Sequence, residues 1–307
     1  MDYLSGWCTS KRRLDGITAI VTGANSGVGK ETTLDLYKRG AQVIMTCRNI
    51  DKADAAKCDI IQSAKDYPNN GILIIEKMDL CSLTSVREFA DRVLKSEKRV
   101  QILVNNAGVM CCPEGRTEDG FETHIGSNHF GHALLTLLLM PRLVESGPSR
   151  IVFLSSAIHF FYKIDLDDIN YSCTPYRPLE AYAKSKIANI MFAKALTQKL
   201  EESNIKGVTT YSLHPGIVFT GIDRHFGCLV SCLYHVFKWM WKSPRCGAQT
   251  TIYCAVDERC AEESGLYYSD CESNPPSSYC ENKKNITRLW DLTMQMLGLE
   301  YYKLKFK

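Results

Sequence analysis

The sequence lacks a hydrophobic run long enough to cross a membrane as a helix. A membrane-spanning helix needs about 20 mostly apolar residues, and the longest apolar stretch of the 307 residues, 226–241, is shorter and contains His235 and Lys238. The chain also lacks a strong excess of one charge, since its formal net charge is +3. The basic surface typical of nucleic-acid-binding proteins is therefore not expected. No linker rich in proline or serine divides the chain, which favours a single domain.

The 14 cysteines show neither an apolar N-terminal signal stretch before them nor a C-x-x-C pair among them. A disulfide framework, a zinc site and a thioredoxin-type motif are thus disfavoured, and we interpret the cysteines as reduced thiols in a protein that is not secreted. No metal is expected either. His129 and His132 are three residues apart, but no third ligand is evident, and we expect their helix to face solvent in part.

Short β-branched runs alternate with amphipathic stretches over the first two-thirds of the chain. This pattern predicts βαβ units and an α/β fold with a doubly wound parallel sheet. Six strands are predicted, at 17–22, 42–46, 72–77, 102–105, 150–154 and 207–213. Helices are predicted at 28–39, 52–64, 83–95, 121–144 and 181–201. We assign residues 1–13 to an N-terminal tail and 14–307 to one domain, with an apolar C-terminal extension whose residues 215–245 form a substrate lid.

A glycine-rich turn joins the first predicted strand to the first predicted helix. It reads Thr22-Gly23-Ala24-Asn25-Ser26-Gly27-Val28-Gly29. Glycines allow the backbone to approach a phosphate closely, and the N-terminus of a helix attracts negative charge. Such a turn can be purely structural, but its position between strand and helix favours a dinucleotide site.

The end of the second predicted strand carries Arg48 and no carboxylate. An acidic residue there would bind the ribose 2′-hydroxyl of NAD, whereas a guanidinium pairs with a 2′-phosphate. This favours NADP(H) as the cofactor. The alternative is that Arg48 is an ordinary solvated loop residue.

Tyr182 and Lys186 are four residues apart on a predicted helix and so share one face. An ammonium and a cationic nicotinamide would both stabilise a phenolate, which makes Tyr182 a candidate acid/base group. Ser156 ends the predicted strand before this helix. A Y-x-x-x-K spacing alone is common on surface helices, so it becomes informative only together with the other motifs.

Together these motifs resemble those of the short-chain dehydrogenase/reductase family from about residue 14 to 297. The shared motifs are the glycine-rich turn, Asp79-Leu80, Asn105-Asn106-Ala107-Gly108, Asn128, Ser156, Tyr182-x-x-x-Lys186 and His214-Pro215-Gly216. The residues at 119–124, 128–132 and 208–216 are similar to those of the retinol dehydrogenase (retinal reductase) branch. That resemblance implies a Rossmann-like fold and supports NADP(H).

The resemblance also implies residue roles. Tyr182 would exchange a proton with the substrate oxygen, Ser156 would bind the same oxygen, Lys186 would hold the nicotinamide ribose, and Asn128 would hold a water. The cofactor would contact the glycine-rich turn and residues at the ends of later strands, namely Arg48, Asp79, Leu80, Asn106, Ala107, Gly108, Pro215, Gly216, Val218 and Thr220.

The aromatic segments 159–179 and 215–243 predict an apolar substrate, with retinol/retinal expected from the resemblance. A carbonyl reductase for farnesal or a lipid aldehyde, and a non-catalytic NADPH-binding scaffold or sensor, are alternatives. The branch commonly carries an N-terminal membrane helix, and 1–13 is too short to span a bilayer. We hypothesise peripheral contact with the cytosolic face of the endoplasmic reticulum through 226–241. The alternative is a soluble protein in which this segment is a lid or core helix. The apolar stretch 134–140 could form a homodimer face.

Overall fold

The strands of the chain assemble into one twisted sheet whose order reverses beside the first strand. A computed structural model describes residues 2, 5–218, 241–300 and 302. Within them, the strands are β1 Thr18–Thr22, β2 Gln42–Cys47, β3 Ile72–Lys77, β4 Ile102–Asn105, β5 Ser149–Leu154, β6 Val208–His214, β7 Leu266–Ser269 and β8 Glu272–Asn274. The sheet order is β3-β2-β1-β4-β5-β6-β7-β8. All neighbouring pairs are parallel except β7 and β8.

Helices cover both faces of this sheet. They are α1 Gly27–Lys38, α2 Ile50–Ser63, α3 Leu83–Ser96, α4 Gly131–Glu145, α5 Pro178–Glu202, α6 Pro244–Gly247, α7 Gln249–Val256, α8 Ser278–Glu281 and α9 Lys283–Met296. A π-helix at Ile125–Phe130 leads into α4, and a 3₁₀ helix at Ala157–Phe160 follows β5. The predicted doubly wound α/β fold is confirmed.

Alternate side chains of the strands enter two separate cores. Along β1, Ile20 packs with α3, α4, α5 and α9, whereas Ala19 and Val21 pack with α1, α2 and α7. Successive side chains of a strand point to opposite faces, so a strand covered on both sides reads as a continuous apolar run. This explains why the central strands were visible in the sequence.

The prediction of six strands was incomplete, because β7 and β8 extend the sheet beyond β6. They have only four and three residues, and the residues of β8 are all exposed. Strands this short carry too few residues to show an alternating pattern. The helix predicted at 121–144 starts at residue 123, after an isolated bridge that pairs Glu122 with Arg116.

The helix around His129 and His132 does not face solvent, contrary to the sequence-based expectation. Both imidazoles are buried, and so are the apolar side chains of 134–140 except Leu138, which is partly exposed. Tyr302 contributes to this cover by donating a hydrogen bond to the carbonyl oxygen of Leu137 at 2.8 Å. The chain itself therefore covers most of the surface considered for a homodimer.

Residues 5–13 lie against the body of the domain. The Arg39 guanidinium donates to the carbonyl oxygens of Ser10 and Arg12 at 2.9 and 3.0 Å. At the other end of this segment, the Gly6 amide donates to Asp270 Oδ1 at 3.2 Å. Asp270 also accepts a hydrogen bond from Lys242 at 2.5 Å.

Candidate active site

A pocket of about 540 Å³ opens at the carboxyl ends of β1, β2, β4, β5 and β6. In doubly wound sheets, ligands bind at this edge, next to the point where the strand order reverses. Most residues singled out in the sequence meet here. Those lining the pocket are Thr22, Gly23, Asn25, Ser26, Gly27, Val28, Gly29, Arg48, Asp79, Leu80, Asn106, Ala107, Gly108, Ser156, Tyr182, Lys186, Pro215, Gly216 and Val218.

The glycine-rich turn is compact because its backbone passes directly over Asn106. Gly23 has a φ of +65°, a conformation that favours glycine. A Cβ on Gly29 would lie 2.4 Å from Asn106 Nδ2 and 2.4 Å from the carbonyl oxygen of Gly23. Side chains are thus kept out of the floor of the turn, and the N-terminus of α1 is left open to the pocket. This arrangement fits the pyrophosphate of a dinucleotide.

Thr22 connects the ends of β1 and β4. Its hydroxyl oxygen accepts hydrogen bonds from the amides of Asn106 and Ala107, both at 2.9 Å. His132 Nδ1 lies 3.0 Å from the carbonyl oxygen of Asn128, which can only accept. His132 Nε2 is then an acceptor, and the Thr22 hydroxyl donates to it at 2.8 Å. Sequence analysis considered His132 only as a metal ligand and missed this link between the turn and Asn128.

The end of β2 presents two cations to the pocket. Arg48 is exposed, and both Arg48 and Lys52 line the cavity. Asn49 caps the N-terminus of α2 by accepting a hydrogen bond from the Lys52 amide at 2.8 Å. Asp79, which follows β3, is the one carboxylate among the described lining residues. Lys52 was not predicted, although it follows Arg48 by one helical turn.

Ser155 and Ser156 have different environments. The Ser155 hydroxyl is buried and donates to the backbone oxygen of Lys186 at 2.6 Å, so it holds β5 against α5. Ser156 lines the pocket and forms a hydrogen bond with Tyr182. Its hydroxyl also accepts a weak bond from the Ile158 amide at 3.3 Å. Ser156 is therefore the serine available to a ligand beside Tyr182.

Tyr182 and Lys186 lie side by side in a desolvated environment. The Lys186 ammonium is 5.6 Å from the centre of the Tyr182 ring and donates to the carbonyl oxygen of Leu154 at 3.1 Å. Burial lowers the pKa of Lys186 to about 8. Burial also raises the pKa of Tyr182 to about 12, and the hydrogen bond with Ser156 only partly opposes this increase. Without a bound cationic ring, Tyr182 is thus a proton donor at neutral pH.

Asn128 lies in the π-helix behind the pocket and not in its lining. Its amide donates to the Val109 carbonyl at 3.0 Å and to the Ser185 hydroxyl at 2.9 Å, and its Oδ1 accepts from the Val109 amide at 2.9 Å. Its backbone oxygen accepts from His132 and Asn189. These bonds tie the loop after β4 to α5, while the predicted role in holding a water stays a prediction.

Two predicted features lie outside the described residues. Thr220, expected near the phosphates, is one, and residues 226–240 of the expected membrane-contacting segment are the other. Several apolar residues line the pocket, among them Met110, Ile158 and Ile217, and Ile217 is 58% exposed. Phe160 and Phe161 follow in the chain with exposed fractions of 54% and 81%, but they are not among the lining residues. The described lining therefore includes apolar side chains.

The fold, the glycine-rich turn and the Ser156, Tyr182 and Lys186 cluster define a nucleotide-dependent oxidoreductase. A family model described as short chain dehydrogenase matches residues 17–227, and the chain belongs to this family. Within the family it belongs to the retinol dehydrogenase branch, as its relatives show.

The similarity to these relatives extends over nearly the whole chain. Mouse retinol dehydrogenase 12 is 42% identical over 97% of this chain and 92% of its own length. Human retinol dehydrogenase 13 is 43% identical over 97% of this chain and 90% of its own length. A solved structure of an uncharacterized protein from Mycobacterium Paratuberculosis is 30% identical, with a TM-score of 0.76, and covers 97% of this chain and 99% of that one.

Among the helices within residues 5–218 and 241–300, none is both long and apolar enough to cross a bilayer.

Proposed function

We propose that this oxidoreductase uses NADP(H) to interconvert an apolar alcohol and its aldehyde, with retinol and retinal as the substrate pair. The observation that carries this proposal is the meeting of Ser156, Tyr182 and Lys186 in the pocket that also contains the glycine-rich turn. A non-catalytic nucleotide-binding protein would have no use for a buried phenol paired with a serine and a lysine.

Tyr182, Ser156 and Lys186 have separate roles in the proposed reaction. A bound nicotinamide supplies or accepts the hydride. In the reductive direction, Tyr182 donates its proton to the carbonyl oxygen, and Ser156 stabilises the negative charge that develops there by donating a hydrogen bond. Lys186 holds its ammonium beside the phenol and favours the phenolate that results. In the oxidative direction, the phenolate takes the hydroxyl proton.

Preference for NADP(H) rests on the charges at the end of β2. Arg48 and Lys52 line the pocket there; Arg48 lies two residues before α2, and Lys52 lies in its first turn. Two cations and the positive end of a 14-residue helix favour a 2′-phosphate. The pocket has no described carboxylate at this strand end to bind a free 2′-hydroxyl.

An apolar substrate is supported by the lining of the pocket. Val109, Met110, Ile158 and Ile217 line the pocket that also contains Ser156 and Tyr182. Polar substrates such as sugars need several hydrogen-bonding groups to replace their water, and these side chains provide none. The high identity to retinol dehydrogenases 11 and 12 supports a retinoid in particular.

Parallel assays with NADPH and NADH test this proposal. We expect retinal to be reduced with a higher kcat/KM than farnesal or medium-chain aldehydes, and NADPH to be preferred. A higher kcat/KM for farnesal or a fatty aldehyde would favour the alternative carbonyl reductase. Equal use of NADH would contradict the role of Arg48.

Tyr182→Phe is the matched control, because it removes only the hydroxyl. We expect it to reduce kcat by roughly 10²- to 10⁴-fold, the contribution typical of general acid/base groups, while NADPH still binds. Unchanged turnover would refute the assignment of Tyr182.

For location, we propose peripheral contact with the cytosolic face of the endoplasmic reticulum membrane. The relatives' action on retinol, which is apolar, and the exposed Phe161 support it. Co-sedimentation with liposomes tests this proposal, and full recovery in the supernatant at low salt would refute it.

A further inference from the structure

Glu122 and His124 form a buried polar pair close to the pocket, outside the residues assigned above. His124 Nδ1 lies 2.7 Å from Glu122 Oε1, and the side chains are 0% and 3% exposed. The same carboxylate accepts the backbone amides of His124 and Ile125, both at 2.9 Å. A buried carboxylate with three donors is held in one position, because losing any of them would leave charge unsatisfied.

The other imidazole nitrogen reaches the loop after β4. His124 Nε2 lies 3.2 Å from the backbone nitrogen of Cys112. An amide can only donate, so Nε2 must accept, and the ring proton is on Nδ1, facing Glu122. His124 is therefore a neutral bridge between the start of the π-helix and the loop at 108–113.

A second hydrogen bond holds the backbone of the same residue, at its carbonyl group. The Tyr176 hydroxyl donates to the carbonyl oxygen of Cys112 at 2.8 Å. Tyr176 lies just before α5, the helix that carries Tyr182. Cys112 is thus clamped between two segments, and Gly108 to Met110 of its loop line the pocket.

The bridge also contacts the reacting side chain itself. The His124 and Tyr182 rings are 6.3 Å apart, centre to centre, and inclined at 70°. The Tyr182 ring thus contacts His124 as well as Lys186, whose ammonium is 5.6 Å from the ring centre.

We propose that His124 is a positioning residue, which, held by Glu122, fixes the 108–113 loop and the Tyr182 ring relative to each other. This inference rests on the proposed function. Small displacements of a reacting group are costly: a shift of about 1 Å can lower the rate by roughly 10²-fold. The hydrogen bond between the Cys112 amide and His124 Nε2 sets the distance between the 108–113 loop and the Tyr182 ring.

Two substitutions test the two hydrogen bonds of His124, to Glu122 and to Cys112, separately. His124→Asn keeps a donor near the Nδ1 position for Glu122 but cannot reach Cys112. His124→Gln places an acceptor near the Nε2 position and can still accept the Cys112 amide. We expect His124→Asn to lower kcat with retinal and NADPH by roughly 10- to 100-fold and to raise the KM for retinal. His124→Gln should restore kcat to within about threefold of the wild type, and both variants should bind NADPH with Kd values within about twofold.

Amide hydrogen exchange of the 108–113 peptide supplies a readout that needs no turnover. We expect exchange at Cys112 to be about tenfold faster or more in His124→Asn, and to stay protected in His124→Gln. Wild-type kcat in His124→Asn, or equal protection in the two variants, would overturn the proposal. If the wild type reduced no aldehyde, the proposed function would fail, and the exchange comparison would still decide the role of His124.

Tyr176→Phe covers the case in which both His124 variants fail to fold. It removes one hydroxyl from a partly exposed side chain and leaves the ring in place. The released carbonyl of Cys112 should speed exchange in 108–113 and raise the KM for retinal, with NADPH binding unchanged. If amide exchange in 108–113 and the KM for retinal both stayed at their wild-type values, the proposed clamp on Cys112 would be refuted.

Discussion

Replacing Gly29 with alanine should destabilise the free protein and weaken cofactor binding. The added Cβ would lie 2.4 Å from both Asn106 Nδ2 and the carbonyl oxygen of Gly23, whereas real Cβ contacts stay beyond about 3 Å. The carbonyl belongs to the backbone of a turn with positive φ and cannot move alone. The Asn106 amide cannot move without losing its 2.6 Å hydrogen bond to the Thr22 carbonyl.

Two unfavourable contributions and one favourable contribution determine the net change in the free energy of unfolding. Overpacking costs about 1–3 kcal/mol, and losing the Asn106 hydrogen bond costs about 1 kcal/mol. Alanine is more favourable than glycine within a helix by about 1 kcal/mol, and Gly29 is the third residue of α1. We therefore expect the free energy of unfolding to fall by about 1–3 kcal/mol.

Urea unfolding without cofactor and fluorescence titration with NADPH measure the two effects. NADPH affinity should fall by about tenfold or more, because the turn must open to admit the methyl group. Ser26→Ala is the matched control for stability, since Ser26 is exposed, precedes the same helix and makes no side-chain capping bond. The reasoning is refuted if Gly29→Ala unfolds like the control and binds NADPH like the wild type.

Lys186→Met should raise stability at pH 7 while abolishing turnover. Burial lowers the pKa of Lys186 from 10.5 to about 8. Below pH 8 the buried ammonium therefore reduces the free energy of unfolding, and this reduction disappears as the pH rises towards 10.5. After allowing for the lost bond to Leu154, we expect a gain of about 2 kcal/mol in urea unfolding at pH 7 and none near pH 10.5; equal stability at pH 7 would contradict it. Burial also lowers the pKa of His129 to about 4 and that of His132 to about 3, both from 6.5. The unfolded chain therefore binds more protons below pH 6.5, and the free energy of unfolding should fall steadily from pH 6.5 to about 4, less steeply in His129→Gln; a constant value over this range would exclude the effect. Arg48→Ala should raise the Kd of NADPH by roughly 10- to 100-fold and leave that of NADH unchanged, because a charged hydrogen bond to the 2′-phosphate is worth about 1.5–3 kcal/mol; a parallel loss for NADH would indicate a structural role instead.

The sequence allowed the central strands and the glycine-rich turn to be predicted because their signals are local. A buried parallel strand is a continuous apolar run, and glycine spacing reports backbone geometry directly. The addition of β7 and β8 could not be predicted in this way, because pairing of such short strands depends on the sheet already present. By contrast, α9 carried a usable signal, since Ile286, Leu289, Trp290 and Met294 recur at helical spacing and are buried.

The missed site residues are those whose roles depend on partners distant in sequence. His132 links Thr22 to Asn128, and His124 meets Cys112 and Tyr176. No local pattern distinguishes a histidine that bridges buried polar groups from one on a surface. The protonation behaviour of Tyr182 likewise depends on burial, which outweighs the effect expected from Lys186 spacing alone.

The contact between residues 5–13 and the body of the domain has a practical consequence for anything fused to the N-terminus. The Gly6 amide binds Asp270, Asp270 pairs with Lys242, and the Lys242 side chain lies against Gly216 in the pocket wall. A Cβ on Gly6 would lie 1.7 Å from the Asp270 carbonyl oxygen, so this crossing leaves no room for a bulkier residue. An affinity tag or anchoring domain placed ahead of residue 5 would thus be attached three contacts from Gly216, which lines the pocket. We therefore expect a bulky fusion at this end to disturb the pocket wall at Gly216, and a reporter of activity is better attached elsewhere.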